Sequence, residues 1–120
     1  MLQTSSDNTV THEEIREELL QNPQNIFEEN LKMAKLGDAE AQYNVGICYG
    51  KGIGVDKNEQ KAFDWYLKAA KQGNTRAQTI LGAVHVATHD YSEAIKWFKK
   101  AANQGSVEAQ EFLKEIDSKK

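Results

Sequence analysis

The sequence predicts an all-α fold, a short right-handed α/α superhelical solenoid built from antiparallel helix pairs. Two observations lead to this prediction. A stretch of sequence recurs along the chain, and self-similarity at a period of about 20–50 residues is typical of repeat solenoids. The single proline among 120 residues and the weakness of strand signals also favour helices.

The two copies of the repeat cover residues 37–72 and 73–105. Small and apolar residues hold the same positions in successive copies. The matching sets are Gly37, Gly73 and Gly105; Ala41, Ala77 and Ala109; Gln42, Gln78 and Gln110; Val45, Leu81 and Leu113; Gly46 and Gly82; Ala62 and Ala94; Trp65 and Trp97. Because Gly46 and Gly82 lack side chains, we expect the partner helix to approach closely there. Each pair leaves an apolar side that only the next pair can cover.

These patterns divide the chain into four segments. We expect a flexible N-terminal tail at 1–10, a divergent helix pair that caps the array at 11–36, the two repeats at 37–105, and a C-terminal capping helix and tail at 106–120. The expected helices span 12–21, 24–36, 39–50, 57–72, 74–87, 91–104 and 107–117. Within the N-terminal pair, Thr11 to Glu14 has the form of a capping box, and Pro23 separates the two helices.

The first repeat has clear signals for its helix ends. Asp38 is a good N-cap for the first helix. The three glycines in Gly50–Gly54 end that helix, because such a run destabilises a helix interior. We expect Val55 to fold back onto the hairpin. Asp56 and Glu59 are three residues apart and predict a capping box at the start of the second helix.

The second repeat has a shorter connection between its helices, and the array ends soon after it. The connection is four residues shorter than in the first repeat, with a tight turn at His89–Tyr91. A third helix of the first type follows Ser106, and Lys114 stands in it where the repeats have Gly46 and Gly82. A lone terminal helix with a charged outer side is what a C-terminal cap requires.

Composition and charge argue against a nucleic-acid-binding protein and against a membrane protein. The chain has 15 Lys and Arg against 18 Asp and Glu, and a net charge of −3. Its lysines are spread between acids along the sequence, so we expect no nucleic-acid partner. No apolar run approaches the roughly 20 residues that span a bilayer, and no secretory signal is evident. We therefore expect a cytoplasmic protein without membrane contact, although export by another route stays open. With Cys48 alone, no intrachain disulfide can form.

Residues 39–73, AEAQYNVGICYGKGIGVDKNEQKAFDWYLKAAKQG, resemble a Sel-like repeat, a relative of the tetratricopeptide repeat. The resemblance covers about residues 34–113. It implies an α/α superhelical adaptor that assembles protein complexes. Some members of the family are secreted and carry cysteine pairs between the two helices. The corresponding positions here are Ala70 and Ala77, or Ala102 and Ala109, so the resemblance does not extend to the disulfide variant or to hydrolase activity.

The resemblance also implies which side of the solenoid binds. In tetratricopeptide-like arrays the first helix of each pair lines the concave side, and side chains that avoid the partner helix face the groove. The candidate groove residues are Glu40, Tyr43, Ile47, Lys51, Arg76, Thr79, Ala83, Val86, Glu108 and Glu111. Aromatic and Arg side chains often carry binding energy. We expect a peptide or protein to lie across this groove, without catalysis and without a cofactor.

Other interpretations stay open at this point. His85 and His89 are four residues apart on one helix, a spacing that could bind a metal, so a small metal-binding regulator or enzyme is the alternative function. However, His85 holds the position of Tyr49 in the first repeat, which favours a packed imidazole. Trp65 and Trp97 share one repeat position, which favours packing between layers over a cofactor site. A third hypothesis is self-association through an incompletely covered end of the short array.

Overall fold

The computed structural model describes residues 22–118, which form six α-helices and contain no strand. The helices are α1 (Pro23–Lys35), α2 (Ala39–Lys51), α3 (Glu59–Lys71), α4 (Thr75–Ala87), α5 (Tyr91–Asn103) and α6 (Val107–Ser118). Each helix packs against the next one along the chain. This part of the chain is therefore an all-α repeat solenoid, as the sequence predicts. The expected tail at 1–10 and the expected helix at 12–21 lie outside the described residues.

The helices fall into two sets that alternate along the solenoid. We term α2, α4 and α6 the A helices and α1, α3 and α5 the B helices, so that α2–α3 and α4–α5 are the two repeats. Side chains cap the A helices, as when Asp38 accepts the N–H of Ala41 at 2.8 Å. The B helices end before glycines in the left-handed region, Gly37, Gly73 and Gly105, with φ of 101°, 98° and 97°. Glycine adopts this conformation without steric cost.

The start of α3 differs from the sequence prediction. The predicted N-cap at Asp56 is wrong, because Asn58 is the N-cap and its side chain accepts the N–H of Lys61 at 2.9 Å. The backbone N–H of Asn58 donates to the carbonyl of Tyr49 at 2.8 Å. This bond between the connection and α2 holds Asn58 in an extended conformation and starts the helix at the next residue.

The glycine-rich connection between α2 and α3 also reaches back to the preceding helix. Gly54 has φ of 71°, and its backbone lies against the carbonyl group of Pro23, so closely that a Cβ would collide with it. Ile53 and Val55 pack on the first apolar cluster, which confirms the expectation for Val55. The longer connection of the first repeat therefore anchors the start of α1 as well as joining two helices.

The shorter connection of the second repeat uses a histidine where a glycine is usual. His89 follows α4 with φ of 63°, and the N–H of Asp90 donates to the carbonyl of His85 at 2.8 Å. This is the hydrogen bond that closes a helix end when the residue after the C-cap is left-handed. Histidine is one of the few side chains enriched in this region of φ. The position of His89 is thus explained by helix termination.

Three apolar clusters run along the solenoid, one at each junction between a B helix and the following A helix. Their buried members are Phe27, Ala34, Ala41, Val45 and Cys48; Tyr43, Ala69, Ala70, Ala77 and Leu81; and Ala94, Phe98, Ala101 and Ala109. Trp65 packs on the first cluster and Trp97 on the second. The predicted packing role of both tryptophans is confirmed, and each closes the junction that precedes it.

Gly46 and Gly82 each admit an aromatic ring from the B helix of the same repeat. A Cβ added at Gly46 would lie 2.6 Å from the Tyr66 ring, and one at Gly82 would lie 2.5 Å from the Phe98 ring. Such distances are below van der Waals contact, so the close approach predicted for these glycines is confirmed. In α6 the same position is the exposed Lys114, whose side chain would block an equivalent ring.

Glutamine side chains connect successive units through a series of hydrogen bonds that we term the glutamine relay. The Nε2 of Gln78 donates to the carbonyl of Ala70 at 3.1 Å, and the Nε2 of Gln104 donates to Oε1 of Gln78 at 2.8 Å. Gln42 and Gln72 repeat this arrangement one unit earlier. The relay joins the B helix of one unit to both helices of the next, and it supplies donors to carbonyls at helix ends.

We expect Gly82→Ala to lower the free energy of unfolding by about 1–3 kcal/mol, because the added methyl group overpacks the Phe98 ring. The measurement is urea unfolding followed by circular dichroism. A double-mutant cycle with Phe98→Leu provides the control, since removing the ring should recover part of the loss caused by the methyl group. Additive losses would show that residue 82 and the ring do not interact.

We expect Gln78→Leu to lower the free energy of unfolding by about 1–3 kcal/mol, because the carbonyl of Ala70 and the amide of Gln104 each lose one hydrogen bond and keep only their bonds to Gly73. Gln110→Leu is the matched control at the same repeat position. Gln110 is exposed and makes a longer bond of 3.4 Å to Ala102, so its loss should be within about 0.5 kcal/mol. Equal losses for both variants would contradict a stabilising role of the relay.

Candidate functional site

The exposed side of the A helices is held together by contacts between successive repeats, and we term it the A-helix face. Nη2 of Arg76 lies 3.1 Å from Oε2 of Glu40, and the Arg76 guanidinium lies 5.1 Å from the centre of the Tyr43 ring. The amide of Asn74 donates to Oε1 of the same carboxylate at 3.2 Å. These contacts bring the first turns of α2 and α4 together into one group of polar and aromatic side chains.

The ten predicted groove residues all lie on the A helices, but they differ in exposure. The exposed ones are Glu40, Lys51, Arg76, Glu108 and Glu111; the half-buried ones are Ile47, Ala83 and Val86; the buried ones are Tyr43 and Thr79. Ile47 packs on the second apolar cluster, and Ala83 and Val86 pack on the third. A bound partner can therefore contact the five exposed side chains extensively, and the other five only through the atoms that remain accessible.

Tyr43 and Thr79 hold the A-helix face from beneath. Tyr43 is 9% exposed and its ring centre lies 6.0 Å from that of Tyr66. The hydroxyl of Thr79 lies 3.0 Å from the carbonyl of Thr75 and 3.2 Å from the hydroxyl of Ser106, which connects α4 to the start of α6. Truncating either residue would remove contacts within the solenoid as well as any contact with a partner.

Charge is distributed unevenly along the A-helix face. Arg76 and Glu40 form an exposed pair, with 67% and 53% of their side chains accessible. Such surface pairs contribute only about 0–1 kcal/mol to stability, so the pair is able to exchange partners at little cost. Glu108, Glu111 and Glu115 are exposed on α6 and make that end acidic, whereas Lys51 lies at the end of α2. The face thus offers both charge signs at separate places.

His85 and His89 contact different neighbours. The His85 ring packs edge-on against Phe63, with ring centres 6.1 Å apart, which agrees with the packed imidazole favoured by its repeat position. His89 is exposed, and its Nδ1 lies 3.2 Å from the hydroxyl of Tyr91. Among residues 22–118, no group of three or more His, Cys, Asp or Glu side chains is placed to hold a metal ion. The metal-binding alternative therefore gains no support from this part of the chain.

Within residues 22–118, burial changes the pKa of two groups. Cys48 is 3% exposed, and burial raises the pKa of its thiol, which disfavours the reactive thiolate. Burial, with a smaller effect from Tyr43 and Cys48, raises the pKa of Tyr66 to about 12. Both groups are neutral at physiological pH and serve as packing residues, as predicted for Cys48.

Asn74 is the residue of this site that sequence reasoning did not select. It caps α4 by accepting the N–H of Ala77 at 2.9 Å, and its amide also contacts Glu40. The signal for its first role is the repeat, since Asp38, Asn74 and Ser106 share one position. Its second role depends on the distance between successive A helices, which the sequence does not give.

Within the described part of the chain, no helix has the length and apolar character needed to cross a membrane.

Comparison with known proteins shows the same repeat elsewhere. The Sel1 repeat pattern matches residues 39–74 and 80–106, more than half of the chain. The structure is similar to that of a Sel1 repeat protein from Oxalobacter formigenes, with a TM-score of 0.71 and 37% identity over 73% of this chain and 38% of the other.

Two relatives match a shorter stretch of the chain. A sel1-like repeat-containing protein of Acanthamoeba polyphaga mimivirus is 53% identical over 47 residues, which are 38% of this chain and 8% of the relative. DAP3-binding cell death enhancer 1 of Rattus norvegicus is 44% identical over 45 residues, 38% of this chain and 9% of that protein. The chain thus corresponds to a small part of each relative. With its repeated residues, its paired helices and these matches, the chain belongs to the Sel1 repeat family.

Proposed function

We propose that this chain is a non-enzymatic adaptor whose A-helix face binds an extended or helical peptide segment of a protein partner in the cytoplasm. The first support is the family, whose members generally act in protein–protein interaction. A second support is the name of DAP3-binding cell death enhancer 1, which describes binding to another protein. We extend this kind of activity to the present chain.

The observation that carries the proposal is the arrangement of Arg76 on the A-helix face. Its guanidinium is oriented by Glu40 on one side and by the Tyr43 ring on the other. Guanidinium has five N–H donors, and the single bond to Glu40 leaves most of them free for a partner carbonyl or carboxylate. An oriented Arg loses less conformational entropy on binding than a free one, which suits it as an anchor for a peptide.

The other exposed residues of the A-helix face would extend the surface that a bound peptide contacts. Lys51 lies at the end of α2, whereas Glu108 and Glu111 lie on α6. A peptide that crosses the three A helices would therefore meet positive charge at one place and negative charge at the other. Complementary charge of this kind favours one register and one direction of the bound segment.

The test reverses the ion pair of the face without removing it. A partner is first captured with the intact chain, and its affinity is then measured for the swapped variant Glu40→Arg/Arg76→Glu. The swap keeps the net charge and allows the pair to form again, so we expect an unchanged melting curve. We expect affinity to fall about tenfold or more, because charges that faced the partner are inverted.

Glu93→Lys/Lys96→Glu is the matched control. These residues form the other ion pair of the described chain, at 3.3 Å on α5, and this swap also keeps the net charge. It should change affinity by less than about twofold. If the α5 swap abolishes binding and the swap on the A-helix face does not, the binding surface has been assigned to the wrong helices.

A further inference from the structure

In the B helices, the positive charges are concentrated towards the C-terminal end. Lysines occupy the last turns of α1 and α3 and the end of α5. Acids do not extend beyond the middle of these helices, the last one in each being Glu29, Asp64 and Glu93. We term the lysine-bearing end of these helices the basic edge, formed by Lys32, Lys35, Lys68, Lys71, Lys99 and Lys100.

The repeat places these lysines in register. Lys32, Lys68 and Lys100 hold one repeat position, and Lys35 and Lys71 hold another. Equivalent positions of successive units lie side by side in a solenoid, so the first set forms a row across α1, α3 and α5 and the second set a row across α1 and α3. Lysines that are far apart along the sequence are thereby brought to one edge of the fold.

The lysines of the basic edge are available to a partner. Lys68 lies over the Trp65 ring at 4.4 Å, and Lys100 lies over the Trp97 ring at 5.9 Å. The two ion pairs of residues 22–118 involve Arg76 and Lys96, so no lysine of the basic edge is neutralised by an acid in that range. Attraction to helix C-termini favours lysines at such positions, but it does not pair their charge.

A shallow cavity lies in the middle of the basic edge, between the ends of α3 and α5. Its volume is about 490 Å³. Its polar and aromatic lining consists of Lys71, Gln72, Gln78, Trp97, Lys100, Asn103 and Gln104. The Nε2 atoms of Gln72 and Gln104 are engaged in the glutamine relay, whereas their Oε1 atoms accept no hydrogen bond from the described residues. The cavity therefore combines positive charge, free acceptors and one indole ring.

We propose that this cavity binds an acidic peptide segment of a protein partner. Glu or Asp carboxylates would pair with Lys71 and Lys100, and backbone N–H groups would donate to the free Oε1 atoms of Gln72 and Gln104. Apolar parts of the peptide would cover Trp97. A phosphodiester backbone offers no donor to these acceptors, so peptide fits the cavity better than nucleic acid. The site lies at the ends of α3 and α5 with Gln78 of α4 at its base, and its lining includes none of the ten predicted groove residues.

The experiment uses the full chain and a fluorescein-labelled peptide of repeated Glu-Leu-Ser units, with the Gln-Leu-Ser peptide as the uncharged comparison. Fluorescence anisotropy gives the affinity. The indole N–H signals of the two tryptophans, followed by NMR, report where the peptide binds. We expect the Glu peptide alone to bind, with the Trp97 signal moving more than the Trp65 signal.

Two double variants with the same change in net charge distinguish a local site from general attraction. Lys71→Glu/Lys100→Glu should weaken binding about tenfold or more, whereas Lys57→Glu/Lys61→Glu, at exposed lysines near the start of α3 and outside the cavity lining, should weaken it less than about twofold. Circular dichroism confirms that both remain folded. Equal weakening by the two variants would overturn the proposal. Tighter binding of an oligothymidine or of phosphatidylserine vesicles than of the peptide would also overturn it.

Discussion

The contact between an A-helix glycine and an aromatic ring of the paired B helix sets the spacing on which the rest of the solenoid depends. The Tyr66 and Phe98 rings occupy the space where Cβ atoms of Gly46 and Gly82 would be. At that separation, short side chains such as Ala62 and Ala94 are sufficient to fill the interface. The relay bonds of 2.8 Å between glutamines of one repeat require the same closeness. A change in this spacing would therefore affect the packing and the polar connections together.

The repeat explains why so much of the fold could be predicted. Residues that recur at one position share one environment, so Gly46 with Gly82 and Trp65 with Trp97 reveal packing that neither residue reveals alone. The start of α3 shows the limit of this reasoning. Asp56 and Asn58 are both good caps by local preference, and the choice between them depends on the bond from Asn58 to the carbonyl of Tyr49. That bond depends on the path of the whole connection.

The sequence predicts on which side of the solenoid the candidate residues lie, but it does not predict how accessible their side chains are. Counting along each A helix places Tyr43 and Arg76 on one side of the solenoid, and the structure agrees. Their burial depends on the helices around them, because Tyr43 packs against Tyr66 of α3 and the apolar cluster shared with α4, while Arg76 remains accessible. The basic edge shows the opposite case. Its lysines are separated by long stretches of sequence, so their proximity appears only when the B helices are aligned in space.

The glutamine relay also affects which helix of the solenoid opens locally most easily. Gln78 is held from both sides, by Ala70 and by Gln104, whereas Gln110 on α6 reaches only Ala102, at 3.4 Å. Local opening follows the places with the fewest contacts, so we expect α6 to open more readily than α4. Its acidic residues therefore lie on a more adjustable segment of the A-helix face than Arg76 does. A partner would therefore contact Arg76 on a rigid helix and acidic side chains on a helix that can shift. Peptides of related sequence could then bind by adjusting α6 while they keep the contact with Arg76.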